Sequence, residues 1–328
     1  AFYEISGDTF MEKNKSFLGC AMLFLAAFLW GTTTVVQSMA AAADLPSFTY
    51  LAARSFVGAI ALWAVVLLRQ VLGRRSSKGV SVLPQSPSER KTALKGGILC
   101  GAVLTGAAYL QQQGIVFGAS AGEVGFLTSL YMLFVPLFSF LLYRRKVSAN
   151  VLFGAVFMLV GLYFLCIMDT DRSSFNFGHL FEIGCAVAFA FHILAVERYR
   201  TIDGMLLSSI QFTVCGLIST VCALIFEQPS FSALLENWFP ICFAGICSSA
   251  IGFTLQIYGQ KYAPATIATI LMSMESVIAL LAEWLCNVTG LFVGKNPVEM
   301  TAFKVIGCIL AFAGILMSQL KFFSRKEK

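Results

Sequence analysis

Charge is scarce in this chain. Only 12% of its 328 residues are Asp, Glu, Lys or Arg, whereas 58% are hydrophobic; soluble domains run near ~25% charged. A soluble protein of this length has nowhere to hide so much apolar surface. Histidine occurs twice, and no CxxC, P-loop, dinucleotide fingerprint or metal-ligand spacing occurs. Their lack argues against metal or cofactor chemistry and against pumping by ATP hydrolysis within this chain. Also missing is the ten-residue alternation of a membrane β-barrel. Lipid is the solvent that suits the composition, and helices then remain as the way to satisfy the backbone within it.

What is present is long runs of Leu, Ala, Phe, Ile, Val and Gly, with a mean hydropathy of +0.81. A span needs ~20 mostly apolar residues. Ten candidates meet that requirement: 17–38, 47–68, 94–116, 120–143, 149–167, 178–198, 204–226, 236–259, 263–286 and 302–322. Residues 1–10 differ in character from the rest of the chain and read as an extraneous leader, with Met11 a plausible native start. All ten cysteines lie in or beside apolar runs, where small apolar packing residues are expected.

The basic residues test this parse. With the N-terminus in the cytoplasm, nineteen of the 23 Lys and Arg fall on the inner side, from Lys13 and Lys15 to Lys321, Arg325, Lys326 and Lys328. Only Arg172, Lys295 and Lys304 fall outside, and Arg54 lies within a span. Short cytoplasmic loops are expected to be basic. Both termini are therefore placed in the cytoplasm. The net charge of +6 reads as an orientation signal and not as a nucleic-acid footprint.

The two halves resemble each other. Gly101, Thr105 and Gln112 align with Gly245, Ser249 and Gln256, and Thr128-Ser129-Leu130-Tyr131 aligns at the same offset with Met272-Ser273-Met274-Glu275. Gly154 and Gly161 align with Gly307 and Gly314. Five spans per half is an odd number, so the repeats must be inverted. The expected fold is an all-α polytopic membrane protein of ten transmembrane helices in two inverted five-helix repeats, 11–168 and 169–328. Such repeats commonly place a substrate site near the bilayer midplane.

Five-plus-five helices, Trp30-Gly31 in the first span, Gln111-Gln112-Gln113-Gly114, Phe126 to Tyr131, Pro136, Tyr262-Ala263-Pro264-Ala265 and Met274-Glu275-Ser276 together resemble the EamA-type family of the drug/metabolite transporter superfamily. The resemblance covers nearly all of residues 16–322. It implies a secondary transporter, an exporter or exchanger of small metabolites such as amino acids or related amphipathic solutes, working by alternating access in the plasma membrane. It implies no cofactor. The family's Glu-Pro pair reads Glu275-Ser276 here, which keeps the glutamate and alters the local bend.

Candidate residues are set by the cost of polarity in lipid. A charge at the bilayer centre costs about 2.5–3.5 kcal/mol on insertion scales, so Glu275 needs a partner, a proton or a water-filled cavity. Tyr131 is its repeat equivalent. Trp30, Tyr109, Gln112, Tyr131, Gln256 and Glu275 form the expected substrate-binding set. Glu275 and His192 are candidates for proton coupling, against a buried, hydrogen-bonded reading of each. Arg54, Glu123, Glu182 and Glu283 are candidates for an outer ion-pair gate, against snorkelling to headgroups. Gly118-Ala119-Ser120-Ala121-Gly122 matches a hydrolase elbow but lies between apolar spans, not on a strand-turn-helix. An intramembrane enzyme, or a non-transporting receptor or subunit, are the alternatives. The first lacks a catalytic cluster and the second lacks loops long enough for a binding domain. A monomer is a sufficient unit.

Overall fold

The computed structural model describes residues 2–75, 83–119, 121–144, 147, 149–166, 168, 177–291 and 300–319. Side chains are described from residue 16 onward, with those of 74, 75, 162, 165, 166, 318 and 319 left aside. Several of the expected features lie outside the described residues: Ser120, Lys78, Arg145, Lys146, Arg172, Lys295, the four basic residues after Gln319 and the junction at 168–169.

The described residues are helical or in short connections, with no strand among them. The helices are α1 (Phe2–Ala42), α2 (Ser47–Arg75), α3 (Pro87–Val116), α4 (Ala121–Thr128), α5 (Tyr131–Tyr143), α6 (Ala149–Cys166), α7 (Phe177–Arg198), α8 (Gly204–Phe226), α9 (Phe231–Glu236) and α10 (Trp238–Phe243). A π-helix, Ala244–Gly252, leads into α11 (Phe253–Tyr262), succeeded by α12 (Ala265–Met272), α13 (Met274–Thr289) and α14 (Ala302–Gln319). Eight stretches are long and apolar enough to cross a bilayer, and two shorter apolar helices lie at 149–161 and 302–317. Their outward side chains, among them Ile60, Leu224, Leu141 and Ile309, are exposed. Lipid must cover a surface of this kind.

Two spans are broken. α4 gives way to α5 after Thr128, and α12 to α13 after Met272. The repeat offset pairs these two residues with each other. Across the breaks the Ser129 and Ser276 hydroxyls are 2.7 Å apart, and Ser276 Oγ also donates to the Gly125 carbonyl. Gly125 permits this approach, because a Cβ there would lie 2.9 Å from Ser276 Cα. Ser276, the departure from the Glu-Pro pair, thus bridges the two broken spans.

α6 and α14 pack along their backbones. A Cβ at Gly161 would fall 2.5 Å from Ala311 N and 2.7 Å from Gly307 O. A Cβ at Gly314 would fall 2.6 Å from Gly154 O and 2.8 Å from Met158 N. These contacts are reciprocal under the offset that aligns the four glycines. Without a hydrophobic driving force between helices in lipid, close backbone approach of this kind is what holds them together.

α2 and α8 are tied at both ends. At one end Glu227 caps α2: the N–H groups of Phe48 and Thr49 donate to its carboxylate at 2.7 and 2.8 Å, and Thr49 Oγ1 donates at 2.7 Å. A carboxylate on the positive end of a helix dipole is favourable. At the other end Arg69 lies 3.6 Å from Asp203, which itself caps α8 by accepting from Met205 and Leu206 N–H. Hydrogen bonds to a charged group contribute about 1.5–3 kcal/mol each. Glu227→Ala is therefore expected to lower the melting temperature of the detergent-solubilised protein clearly, while Glu227→Gln, which keeps one acceptor, lowers it less. Equal melting temperatures for the Ala variant and the parent would contradict this account of the cap.

Candidate functional site

α1, α2, α3, the two broken spans, α7 and the π-helix with α11 meet around a tight central cavity of about 30 Å3. Small-molecule sites typically hold roughly 300–1,000 Å3, so the cavity is nearly closed in this conformation and has to widen to admit a solute. Its walls are aromatic and amide-rich: Trp30, Tyr131, Phe189 and Phe253, with Gln37, Gln111, Gln256, Thr128 and Ser248 between them. Two charged side chains complete it, Arg54 and Glu275.

Each wall has a local cause. Trp30 stands against Phe253 at a centroid distance of 4.8 Å, and its indole nitrogen fits where Gly252 has no side chain, since a Cβ there would lie 2.7 Å from Nε1. Phe189 stacks on Phe253 at 6.5 Å. Gln37 Nε2 donates to Gln111 Oε1 and Gln112 Oε1 at 3.4 and 3.3 Å, and Gln111 Nε2 donates to Thr128 Oγ1 at 3.4 Å. A chain of amides thus links α1 and α3 to the break after α4. Gln256 Oε1 and the Trp30 indole N–H have no protein partner among the described residues. Buried polar atoms are seldom left unpaired; the Trp30 nitrogen is packed on Gly252, which leaves Gln256 Oε1 as the acceptor open to a partner on the cavity wall.

Arg54 is 4% exposed, and its guanidinium lies 5.6 Å over the Tyr50 ring. Its Nε has no hydrogen-bond partner among the described residues. Glu275 is 6% exposed at the start of α13. The hydroxyls on the other faces of its span are turned inward on the backbone: Thr269 Oγ1 donates to Thr266 O, and Ser273 Oγ to Thr269 O, both at 2.8 Å. The carboxylate is therefore the polar group this span gives to the cavity.

Of the residues singled out from the sequence, Trp30, Tyr131, Gln256 and Glu275 line the cavity. Tyr109 does not; it stacks on Phe48 at 3.9 Å. Gln112 lies one layer back against Gln37, and Gln111 takes the lining position. The π-helix accounts for the displacement. Its i→i+5 bonding advances the next helix by about one residue, so the offset that pairs Gln256 with Gln112 pairs unlike faces. His192 is buried behind the wall, edge-on to Phe253 at 5.7 Å, with Nε2 3.2 Å from Gln211 Oε1.

The four candidate gate residues do not form one gate. Arg54 belongs to the cavity. Glu182 is fully buried, accepts from Thr128 Oγ1 at 3.0 Å and presses against Gly114. Glu123 lies 3.6 Å from His179, and Glu283 is buried on α13. Sequence separation gave no means of pairing them.

Four similarities to known proteins bear on this architecture. A family model described as the EamA-like transporter family matches residues 17–167 and 176–320. An uncharacterized transporter, YoaV, from Bacillus subtilis (strain 168) is 22% identical over 305 residues, 91% of this chain and 95% of that protein. An uncharacterized transporter from Archaeoglobus fulgidus is 24% identical over 175 residues, which spans 52% of this chain and 56% of that protein. A solved crystal structure shares the fold with a TM-score of 0.69 and 21% identity, over 92% of this chain and 96% of the other.

Proposed function

The chain belongs to the EamA-like transporter family, and from that premise we propose that it is a secondary carrier for small zwitterionic metabolites, amino acids and their close relatives, exported or exchanged. It is an integral membrane protein and not an enzyme. The observation that carries the substrate class is the pairing of Arg54 and Glu275 on the wall of one cavity. A guanidinium suits a carboxylate, and a carboxylate suits an ammonium group. Trp30, Tyr131, Phe189 and Phe253 supply apolar and cation–π contact for the remainder of the solute. Gln256 and Gln111 fix its orientation.

The mechanism we infer is rocking of two inverted five-helix repeats, 11–168 and 169–328, around this cavity. The breaks after Thr128 and Met272 and the reciprocal glycine contacts of α6 and α14 support the repeats. The cytoplasmic placement of both termini rests on the distribution of Lys and Arg, and the plasma membrane on the resemblance to exporters. Coupling to protons through Glu275 belongs to the same reading, as does action as a monomer.

On the basic side of the molecule, Asp203 links three elements. Arg69 of α2 approaches it at 3.6 Å and the Tyr258 hydroxyl of α11 donates to it at 3.1 Å. Lys261 Nζ donates to Ile202 O at 2.7 Å and lies 5.1 Å over the Tyr258 ring. In this reading the cluster is the inner latch. Arg69 and Asp203 are part-exposed, and such pairs contribute only about 0.2–1 kcal/mol. Asp203→Asn keeps the helix cap and removes the charge. Labelling of Gln256→Cys by a membrane-impermeant thiol reagent from the cytoplasmic side should then rise measurably, by about 1.4- to five-fold. Unchanged labelling would remove the cluster from the gating path.

The reading as a whole is tested by counterflow in proteoliposomes loaded with a mixed pool of amino acids, amines and nucleosides, read by mass spectrometry. Selective exchange of the amino acids is expected. Absence of exchange by folded protein, or selective exchange of another class, would overturn it.

A further inference from the structure

A second hollow lies on the membrane-facing surface and shares no lining residue with the central cavity. It is an open groove of about 530 Å3 between α2, α3, α8 and the Leu83–Pro84 segment. Its floor is the close seam of α3 on α8, where Gly97 meets Ile210 and Gly101 meets Val214. Inward of its lip the two polar side chains in the wall satisfy each other and the backbone. Trp63 Nε1 donates to Thr213 Oγ1 at 3.0 Å, and Thr213 Oγ1 donates to Ser209 O at 2.7 Å. The wall is consequently apolar and offers nothing to a hydrophilic ligand.

At the basic end the groove closes on one cation. Arg90, Leu94 and Ile98 recur at helical spacing on one face of α3, and all three line the groove. Arg90 Nε donates to Pro84 O at 3.3 Å, which holds the guanidinium at the lip, and the residue is exposed. The adjacent acid, Glu89, is occupied elsewhere, accepting from the N–H groups of Gln85 and Ser86 in a capping box. No carboxylate lines the groove among the described residues. Eight residues of α-helix separate Arg90 from Ile98, about 12 Å, so the apolar slot runs from the headgroup level into the hydrocarbon.

We propose that this groove is a binding site for an anionic phospholipid, with an acyl chain along Trp63, Ile98, Ile210 and Val214 and the phosphate on the Arg90 guanidinium. A single basic residue at the membrane surface favours anionic lipid by an amount equivalent to roughly five-fold in affinity. The slot commits the site to lipid and not to free phosphate, because its volume is apolar. Since α2 and α3 come from one half of the sequence and α8 from the other, the lipid would bridge the halves. This inference is independent of what the carrier transports.

The test uses the full chain, purified in detergent, with phosphatidylglycerol and phosphatidylcholine of identical acyl chains, read by native mass spectrometry. Phosphatidylglycerol should be retained about five-fold better. Arg90→Gln should abolish that preference while leaving the lipid-free melting temperature unchanged. Phosphatidylglycerol brominated on its acyl chains should quench tryptophan fluorescence in the parent and markedly less in Trp63→Phe. Equal retention of the two lipids, a preference that survives Arg90→Gln, or quenching unaffected by Trp63→Phe would each overturn the proposal. So would complete displacement of phosphatidylglycerol by inorganic phosphate, which would reduce the site to a surface cation.

Discussion

Arg54→Gln is expected to abolish amino-acid counterflow in proteoliposomes, and Glu275→Gln to do the same with a different selectivity. Both side chains line one cavity, and both are almost fully buried. Removing one partner of a buried charge pair typically costs 2–5 kcal/mol, which corresponds to at least about thirty-fold in affinity. Arg54→Gln removes the partner of the substrate carboxylate, so amines should be the least impaired solutes. Glu275→Gln removes the partner of the ammonium group, so acids lacking that group should be the least impaired. Gln preserves most of the side-chain volume in each case, which separates loss of charge from collapse of the cavity. Variants that both retain exchange of the same amino acid within three-fold of the parent would show that these charges do not hold the solute.

Gly161→Ala should destabilise the protein severely despite adding one methyl group. The added carbon would lie 2.5 Å from Ala311 N and 2.7 Å from Gly307 O. Both are backbone atoms of α14, so no rotamer change relieves the overlap. Overpacking of a well-filled site costs about 1–3 kcal/mol, and the rigidity of two helix backbones places this case at the upper end. Gly106→Ala is the matched control, because a Cβ there meets nothing within 4 Å. Size-exclusion profiles and melting temperatures in detergent should separate the two variants clearly. A Gly161→Ala protein as stable as Gly106→Ala would mean that α6 and α14 part without penalty.

The spans were legible because lipid imposes a simple requirement: about twenty apolar residues, with charge confined to their ends. The helical stretches from Ser47, Gly204 and Ala265 begin within two residues of their expected starts. The breaks within two spans were not legible. They are tightened turns in which i→i+3 bonds form, Leu130 N–H to Leu127 O and Ser276 N–H to Ser273 O, and composition is silent on them. The π-helix was equally hidden, for no proline or charge marks Ala244–Gly252. It shifts the match between the halves, so the constant offset aligns Gln256 with Gln112 although the cavity takes Gln111.

Polar residues were found readily, and their partners were not. Arg54 stood out as a cation inside a span, but its place beside Tyr50 and on the cavity wall requires the fold. Glu182 stood out equally and lies buried against Gly114 and Thr128. Phe189 escaped notice because aromatic residues are abundant throughout apolar spans, whereas Phe253 shares a helical face with Gln256. Only packing distinguishes the aromatic rings that face the cavity from the many that face lipid.

The most direct test of the central claim is counterflow with a matched set of three solutes: an aromatic amino acid, the amine lacking its carboxylate, and the acid lacking its amino group. Recognition by Arg54 and Glu275 together predicts exchange of the amino acid at a rate at least ten-fold above either partial analogue. Equal exchange of the amine or the acid would contradict it, and would assign the cavity to a solute with a single charge.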